Sequence, residues 1–309
     1  MARLDDAAYP ARKHLVGGQK LSKKYLELRS KIAKIRNTAA LDLLQAPNLV
    51  QMSVAGDFYQ YRDKELCRVD ATLSEALTVA DSFLVRNGRV RALDQHFARF
   101  QSSIVDDQTQ GELEPFFESL KLLIPTEGDW FPRMEYRDQL PTGERLVFRL
   151  RESPERTESL SLWSSDEPDP RKQFRIKGPD LSICQQIRRR ANLNGADEAV
   201  LLSESGHVAD GALSSIVWWR DDVLYGPDDS TNWLPSITRN LVFDLANQAG
   251  YETATERVTP QQLLDCEVWS LSSLQGIRYV TAWDGVQLAP PRFASSFVKR
   301  LELLAQPIS

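Results

Sequence analysis

The first periodic stretch of the chain has apolar residues at steps of three and four, as on one face of an amphipathic helix. These residues are Leu21, Tyr25, Leu28, Ile32, Ile35, Ala39 and Leu43. Lysine and arginine dominate the other faces as far as Arg36, and Pro47 ends the pattern. We interpret the stretch as a helix with a solvated basic face that packs against its own chain or a second subunit. A partner's groove and nucleic acid are weaker alternatives.

Short apolar runs and turn residues predict a mixture of strands and helices up to residue 150. The predicted strands cover residues 50–54, 57–62, 79–85 and 145–150, and the predicted helices cover residues 96–104 and 112–123. Gly56 separates the first two strands, which suggests a hairpin there. Asn87-Gly88 is the strongest hairpin signal in the chain, because both residues tolerate a positive φ.

The second half of the chain alternates in the same way. Strands are predicted at residues 159–163, 198–203, 207–210, 215–219, 267–271 and 278–283, and helices at residues 181–193 and 237–249. Because the strands and helices interleave without a regular βαβ period, the pattern predicts an α+β fold rather than a doubly wound parallel sheet.

The length of 309 residues suggests about two domains. The polar stretch Arg151–Arg156 contains a proline and is the predicted linker between them. We therefore expect an N-terminal extension at residues 1–46, a small domain at residues 47–152 and a larger domain at residues 157–309.

Composition and charge exclude several classes of protein. The chain is 42% hydrophobic and 26% charged, as in ordinary globular proteins, and its net charge of −5 gives no reason to expect nucleic acid or lipid as a partner. Cys67, Cys184 and Cys266 lie far apart without metal-site spacing, so we expect free thiols and no metal. The sequence has no apolar leader and no apolar run of membrane-spanning length, so we expect a cytoplasmic protein.

Three segments carry groups that can bind an anion. Trp233–Arg239 opens a predicted helix, where Ser236 or Thr238 can cap the first turn and free amides can face an anion. Ser270–Arg278 follows a predicted strand and holds adjacent serines and a glycine. His96–Arg99 places an arginine near a helix start. Taken singly, each segment is more commonly a plain cap, turn or surface arginine.

Lys177 is the candidate nucleophile. It lies at the end of a predicted extended segment and just before a predicted helix. A lysine in a partly dry pocket near other cations has a reduced proton affinity and can form a Schiff base. Most single lysines in such a setting are solvated, so this segment alone does not define a site.

In this order and at these separations, the segments resemble the class IV aminotransferase family, of pyridoxal-phosphate fold type IV. That family includes branched-chain and D-amino-acid aminotransferases and aminodeoxychorismate lyases. The resemblance covers about residues 70–285, with 33 residues from Lys177 to Asp210 and 28 from Asp210 to Thr238, both similar to the family's spacing. It implies a small N-terminal α/β domain and a larger, β-rich C-terminal domain with flanking helices.

The resemblance also implies roles for particular residues around pyridoxal 5′-phosphate. Lys177 would hold the cofactor as a Schiff base and move a proton to and from the substrate, and Asp210 would contact the pyridine nitrogen. The other expected cofactor-binding residues are Arg99, Ile237, Thr238 and Ser273 on the phosphate and Leu234 on the ring.

Three positions depart from the family's pattern. Asp210 stands where glutamate is usual, and its side chain is shorter by about 1.3 Å on ordinary bond lengths. Ser215 and Ser236 replace a frequent asparagine and a frequent glycine. The shorter carboxylate implies that the ring shifts, that a water intervenes, or that the nitrogen is less firmly protonated.

The resemblance implies a pyridoxal-phosphate enzyme acting at the α-carbon of an amino compound. Amino-group transfer to a keto acid is the leading hypothesis, elimination of pyruvate by an aminodeoxychorismate lyase-like reaction is the alternative, and a non-catalytic protein that binds through its N-terminal helix is the third. The candidate substrate residues are Arg278 and Trp218, followed by Arg89, Arg91 and Trp219, although surface or dimer ion pairs are the more common role of such arginines. The family is typically homodimeric, and we expect a homodimer here, with no nucleic-acid or membrane partner.

Overall fold

The structure is a computed structural model that describes residues 56–69 and 74–308. The basic helix predicted from Leu21 onward and the strand predicted at residues 50–54 lie outside these residues. The described helices are α1 (Leu93–Ser102), α2 (Asp107–Gln110), α3 (Leu113–Leu123), α4 (Leu181–Leu193), α5 (Ile237–Gln248) and α6 (Ala294–Leu303), with a 3-10 helix at Pro260–Leu263. The predicted helices in this part of the chain are confirmed to within a few residues, and α2 and α6 were not predicted.

Five antiparallel strands from the first half of the chain form one sheet. They are β1 (Asp57–Arg62), β2 (Glu65–Val69), β3 (Val79–Ser82), β7 (Arg133–Tyr136) and β8 (Leu146–Leu150). Their order in the sheet is β2-β1-β8-β7-β3. The hairpin that joins β1 to β2 turns at Asp63 and Lys64, both with a positive φ. Because no glycine marks that turn, the hairpin is hard to recognise from local pattern alone.

A small sheet consists of four short strands, three from the first half of the chain and one from residues 305–307. Its strands are β4 (Val85–Arg86), β5 (Arg89–Arg91), β6 (Asp129–Trp130) and β18 (Ala305–Pro307), in the order β18-β5-β4-β6. Asn87 and Gly88 form the predicted hairpin turn between β4 and β5, with φ values of 47° and 68°. The single strand predicted at residues 79–85 is wrong in one respect. The chain leaves the first sheet after β3 and enters this one at β4.

The second half of the chain builds a mixed nine-stranded sheet. Its strands are β9 (Ser159–Pro168), β10 (Glu198–Leu202), β11 (Val208–Gly211), β12 (Ser215–Arg220), β13 (Val223–Pro227), β14 (Glu252–Glu256), β15 (Glu267–Ser272), β16 (Gly276–Trp283) and β17 (Val286–Gln287). Their order is β11-β10-β9-β16-β15-β12-β13-β14, with β17 beside β16. Parallel pairs join β9 to β10, β9 to β16 and β13 to β14. The expected α+β class is confirmed.

Large aromatic side chains fix the nine-stranded sheet between its covering layers. Helices α5 and α6 pack on one face around Trp219 and Trp269, while Trp218 and Trp283 lie in a separate apolar cluster. Each such side chain removes about 150–250 Å² from water. The sheet therefore supports two of the candidate site residues, Asp210 in β11 and Ser273 directly after β15.

The segment between β8 and β9 connects the five-stranded sheet to the nine-stranded sheet and contains the predicted linker. The domain boundaries drawn from the sequence stay a prediction. Within residues 56–69 and 74–308, no helix has both the length and the apolar character needed to cross a membrane.

Candidate active site

Lys177 lies in a turn directly before α4, so the extended segment predicted before it is wrong. Its carbonyl oxygen accepts a hydrogen bond of 2.6 Å from the amide of Ala80 in β3. Gly178 has a φ of 145°, and a Cβ there would lie 2.8 Å from the Cα of Val79. Because only glycine fits this contact, Gly178 lets the backbone of Lys177 join the edge of the first sheet.

The amine of Lys177 has a reduced proton affinity. Burial and the positive charge of Arg99 together lower its pKa to about 8, with burial as the larger cause. The negative charge of Asp81 partly opposes both. An amine with a pKa near 8 is partly neutral at physiological pH and can act as a nucleophile or a base. The reduced proton affinity inferred from the sequence is therefore present.

Arg99 is held by a buried carboxylate that the sequence analysis did not select. Its Nε lies 2.7 Å from Oδ2 of Asp81 and its Nη2 lies 2.8 Å from Oδ1, while Nη1 donates to the carbonyl oxygen of Pro235 at 2.8 Å. Nδ1 of His96 also lies 2.8 Å from Oδ1 of Asp81. Burial alone would raise the pKa of Asp81, but Arg99 and His96 outweigh it and hold that pKa well below its usual value.

A small cavity lies at the start of α5. Ser236 caps this helix by accepting a hydrogen bond from the amide of Arg239, which confirms one of the two caps proposed from the sequence. The amides of Ile237 and Thr238 donate no hydrogen bond within the described part of the chain. The cavity is lined by these two residues, by two leucines, and by Arg91, His96 and Ser273. Free amides, a hydroxyl and a guanidinium are donors suited to a phosphate.

Asp210 lies in β11 and is almost fully buried. Its Oδ2 accepts hydrogen bonds from the amide of Leu234 at 2.9 Å and from Nη1 of Arg171 at 3.1 Å, and its Oδ1 accepts from the amide of Gly211 at 3.2 Å. Burial raises the pKa of Asp210, and Arg171 is the strongest influence in the opposite direction.

Arg171 is the second site residue that the sequence analysis missed. It is buried and also pairs with Asp169, with Nη2 3.0 Å from Oδ2. The carboxylates of Asp210 and Asp169 raise the pKa of Arg171, although burial alone would lower it. The polar loop Asp169–Arg171 showed no local sign of burial, because its partner Asp210 lies 39 residues further along the chain.

The two substrate candidates are both buried in strands of the nine-stranded sheet. Trp218 is fully buried in β12, where its Nε1 donates to Glu256 at 3.2 Å. Arg278 is buried in β16, near the negative charge of Glu198. In the described residues, no group of three or more histidine, cysteine, aspartate or glutamate side chains is placed to hold a metal ion.

Comparison with known families gives a match to the family described as Amino-transferase class IV, over residues 78–283. The chain belongs to the class IV aminotransferase family. The resemblance drawn from the sequence is thereby confirmed, and with it the class of pyridoxal-phosphate-dependent enzyme that this family represents.

Two curated relatives of this class IV chain are named for different reactions. The aminodeoxychorismate lyase of Bacillus subtilis (strain 168) is 24% identical over 242 residues, which cover 72% of this chain and 82% of the lyase. The branched-chain-amino-acid aminotransferase of Escherichia coli (strain K12) is 25% identical over 134 residues, or 43% of each chain.

Solved structures share the fold of this class IV chain. A hypothetical aminotransferase from Mycobacterium tuberculosis in its PLP-bound form gives a TM-score of 0.68 at 19% identity, covering 80% of this chain and 98% of that one. The branched-chain amino acid aminotransferase from Escherichia coli gives a TM-score of 0.65 at 17% identity, covering 80% of this chain and 92% of that one. The fold type IV expected from the resemblance is confirmed.

Proposed function

We propose that this chain transfers an amino group between an amino compound and a keto acid, with pyridoxal 5′-phosphate held by the amine of Lys177. The observation that carries the proposal is the environment of Lys177. The residue lies in a turn next to Gly178, and burial and Arg99 lower the pKa of its amine to about 8. The guanidinium of Arg99 also donates to the carbonyl oxygen of Pro235, in the turn before α5. One cationic side chain thus links the nucleophile to the anion-binding end of a helix.

The residues present fit the cofactor at both of its polar ends. The free amides of Ile237 and Thr238 and the hydroxyl of Ser273 offer donors to a phosphate at the start of α5. Asp210 offers a carboxylate to a protonated pyridine nitrogen, and its Oδ1 accepts one backbone hydrogen bond while Oδ2 accepts two hydrogen bonds. Leu234 donates its amide to Asp210, so its position is coupled to this carboxylate.

When bound, pyridoxal phosphate supplies an aldehyde that condenses with amines and a ring that withdraws electrons from the substrate's α-carbon. Lys177 would bind the cofactor through its amine and, once free, would accept and return a proton, because a pKa of about 8 allows both in the neutral range. Asp210 would hold the ring nitrogen, and Arg171 opposes the rise that burial causes in the pKa of this carboxylate.

The carboxylate of Asp210 lies within hydrogen-bond distance of two backbone amides. The amides of Leu234 and Gly211 both donate to the carboxylate and fix its orientation. Of the three consequences considered for aspartate at this position, a less firmly protonated ring nitrogen is opposed by Arg171 and the Leu234 amide, since both favour the charged carboxylate although burial raises its pKa.

A lyase reaction is the second candidate. The match to the Bacillus subtilis lyase extends over 82% of that protein, whereas the match to the Escherichia coli aminotransferase extends over 43%. Both reactions use the same cofactor contacts, so Lys177 and Asp210 serve either one. Substrate selection by Arg278 or Trp218 stays a prediction, and both residues are buried.

We also propose a homodimer in the cytoplasm, as the family resemblance implies. Light scattering at micromolar concentration tests the assembly, and a monomeric mass contradicts it. The small-molecule partners would be an amino donor and a keto acid.

A visible spectrum of the purified protein after incubation with pyridoxal phosphate tests cofactor attachment. We expect Lys177→Ala to lose the cofactor absorbance at long wavelength while the protein stays folded by circular dichroism. Lys172→Ala is the matched control, because Lys172 is exposed and lies in the same loop. Unchanged absorbance in Lys177→Ala shows that another amine holds the cofactor.

Product analysis separates the two reactions. The loaded protein is incubated with D- and L-amino acids and a keto acid, and separately with an aminodeoxychorismate-type substrate alone. A new amino acid that forms only with the keto acid supports transfer, whereas pyruvate released without a keto acid supports the lyase.

A further inference from the structure

The segment Asn232–Pro235, which leads into α5, is anchored to three charged residues of the candidate site. Arg171 donates to the first carbonyl oxygen of this segment at 2.5 Å, and Arg99 donates to its last carbonyl oxygen at 2.8 Å. Between them, the amide of Leu234 donates to Asp210 at 2.9 Å. The backbone of the segment is therefore fixed from both sides of the site.

The indole of Trp233 is the side chain that this segment places against two cations. The guanidinium carbon of Arg239 lies 4.3 Å from the ring centroid, and that of Arg175 lies 4.4 Å from it. The indole Nε1 also donates to the carbonyl oxygen of Asp228 at 3.2 Å. Tryptophan is the strongest aromatic partner for a cation, and the contact gains strength where water is excluded. Because Arg239 is buried and Arg175 is 43% exposed, the stack on Arg239 is the stronger of the two.

Arg239 is itself fixed to strand β13. Its Nη2 donates to the carbonyl oxygen of Pro227 at 3.1 Å. A Cβ at Gly226 would lie 2.8 Å from the same nitrogen, so a larger residue there would displace the guanidinium from the strand. The amide of Arg239 donates to Oγ of Ser236, which caps α5. One residue therefore connects β13, the helix cap and the indole.

We propose that Trp233 is a positioning residue for the ring of the cofactor, because its stack on Arg239 fixes the indole and with it the neighbouring Leu234. The family resemblance places the side chain of Leu234 against the pyridine ring and Asp210 at the ring nitrogen. Since the amide of Leu234 donates to Asp210, a shift of Trp233 would change both contacts with the ring. This inference rests on the proposed function, because it takes the ring of pyridoxal phosphate as the group that these residues meet.

The test compares pyridoxal phosphate with pyridoxal, which has the same ring and no phosphate. Dissociation constants for both compounds are measured by absorbance on the wild type, Trp233→Leu and Trp233→Phe. Circular dichroism in the visible range reports how the bound ring is held, and thermal unfolding reports the fold of each variant.

Two further variants separate the stack from other effects. Phe58→Leu is the control, because Phe58 also has a guanidinium, that of Arg149, 4.9 Å from its ring but lies in β1 of the five-stranded sheet. Arg239→Lys keeps the positive charge near Asp210 and removes the planar group from the indole. It also repeats the test on an intact indole if Trp233→Leu does not fold.

We expect Trp233→Leu to weaken the binding of both compounds by the same factor, about 5- to 30-fold, which is the range for a cation–π contact shielded from water. The visible circular dichroism of each bound ring should decrease. Trp233→Phe should recover part of the loss, Arg239→Lys should change both readouts in the same direction as Trp233→Leu, and Phe58→Leu should bind like the wild type.

Three outcomes overturn the inference and leave the proposed function in place. They are unchanged binding and dichroism in Trp233→Leu, a loss confined to pyridoxal phosphate, and an equal loss in Phe58→Leu. A wild type that binds neither compound refutes the proposed function itself, and this measurement comes first.

Discussion

The guanidinium of Arg99 lies against the carboxylate of Asp81 at two points, with Nε 2.7 Å from Oδ2 and Nη2 2.8 Å from Oδ1. Asp81 is fully buried, and the side chain of Arg99 is 15% exposed. Because the pair joins β3 to α1 and Arg99 continues to Pro235, the contact fixes the first sheet relative to the start of α5.

Asp81→Asn should lower the free energy of unfolding by about 3–5 kcal/mol, since removal of one partner leaves a buried charge without compensation. Asp57→Asn is the control, because Asp57 forms an exposed ion pair with Arg68 and should cost less than about 1 kcal/mol. Urea unfolding at pH 7 measures both variants. Equal losses in the two variants would show that the Asp81 pair contributes no more than a surface contact.

The low pKa of Asp81 makes this contribution depend on pH. Burial would raise that pKa, but Arg99 and His96 lower it below the unfolded value of about 3.9. A group with a lowered folded pKa stabilises the protein above its unfolded pKa and loses this contribution as the pH falls further. The difference between the wild type and Asp81→Asn should therefore be constant above about pH 5 and shrink below about pH 4. Urea unfolding from pH 7 to pH 3 tests this, and a difference that grows in acid contradicts it.

The residues whose roles depend on local pattern could be located from the sequence. The start of α5 was predicted because a proline, a serine and an apolar helical period lie together, and the hairpin at Asn87 because its residues tolerate a positive φ. Lys177 and Asp210 were selected by their separations in a known family. Each of these predictions used either the residues of one short segment or a fixed number of residues between two positions.

The residues that tune the site were not predictable in the same way. Arg171 reaches Asp210 across 39 residues, and Arg91 reaches Ser273 across 182, so the contacts exist only once the sheets have formed. Asp81 did leave one signal. It is a charged residue inside the apolar run Val79–Val85, and such a residue must find a partner when the run is buried.

Arg171→Gln should raise the pKa of Asp210 further, because it removes the strongest influence that opposes burial. The acid limb of the plot of kcat against pH should then move to higher pH, and kcat at pH 7 should fall about 10- to 100-fold, as for the loss of a charged hydrogen bond. Arg175→Gln is the control from the same loop, since Arg175 lies 3.8 Å from the exposed Asp229 and should change kcat little. An acid limb that stays in place in Arg171→Gln separates Arg171 from the ionisation of Asp210.

Gly178→Ala should damage the turn that carries Lys177. A Cβ at this position lies 2.8 Å from the Cα of Val79 in β3, and the φ of 145° is itself unfavourable for alanine. Gly143→Ala is a matched control, because Gly143 also has a positive φ but no atom within 4 Å of the added carbon. The control should lose about 1 kcal/mol of unfolding free energy, and Gly178→Ala about 3 kcal/mol in total once the overpacking is added. Urea unfolding measures both, and borohydride reduction followed by mass spectrometry measures the fraction of protein with attached cofactor. Equal stability and equal attachment in the two variants would show that β3 does not hold the turn of Lys177 in place.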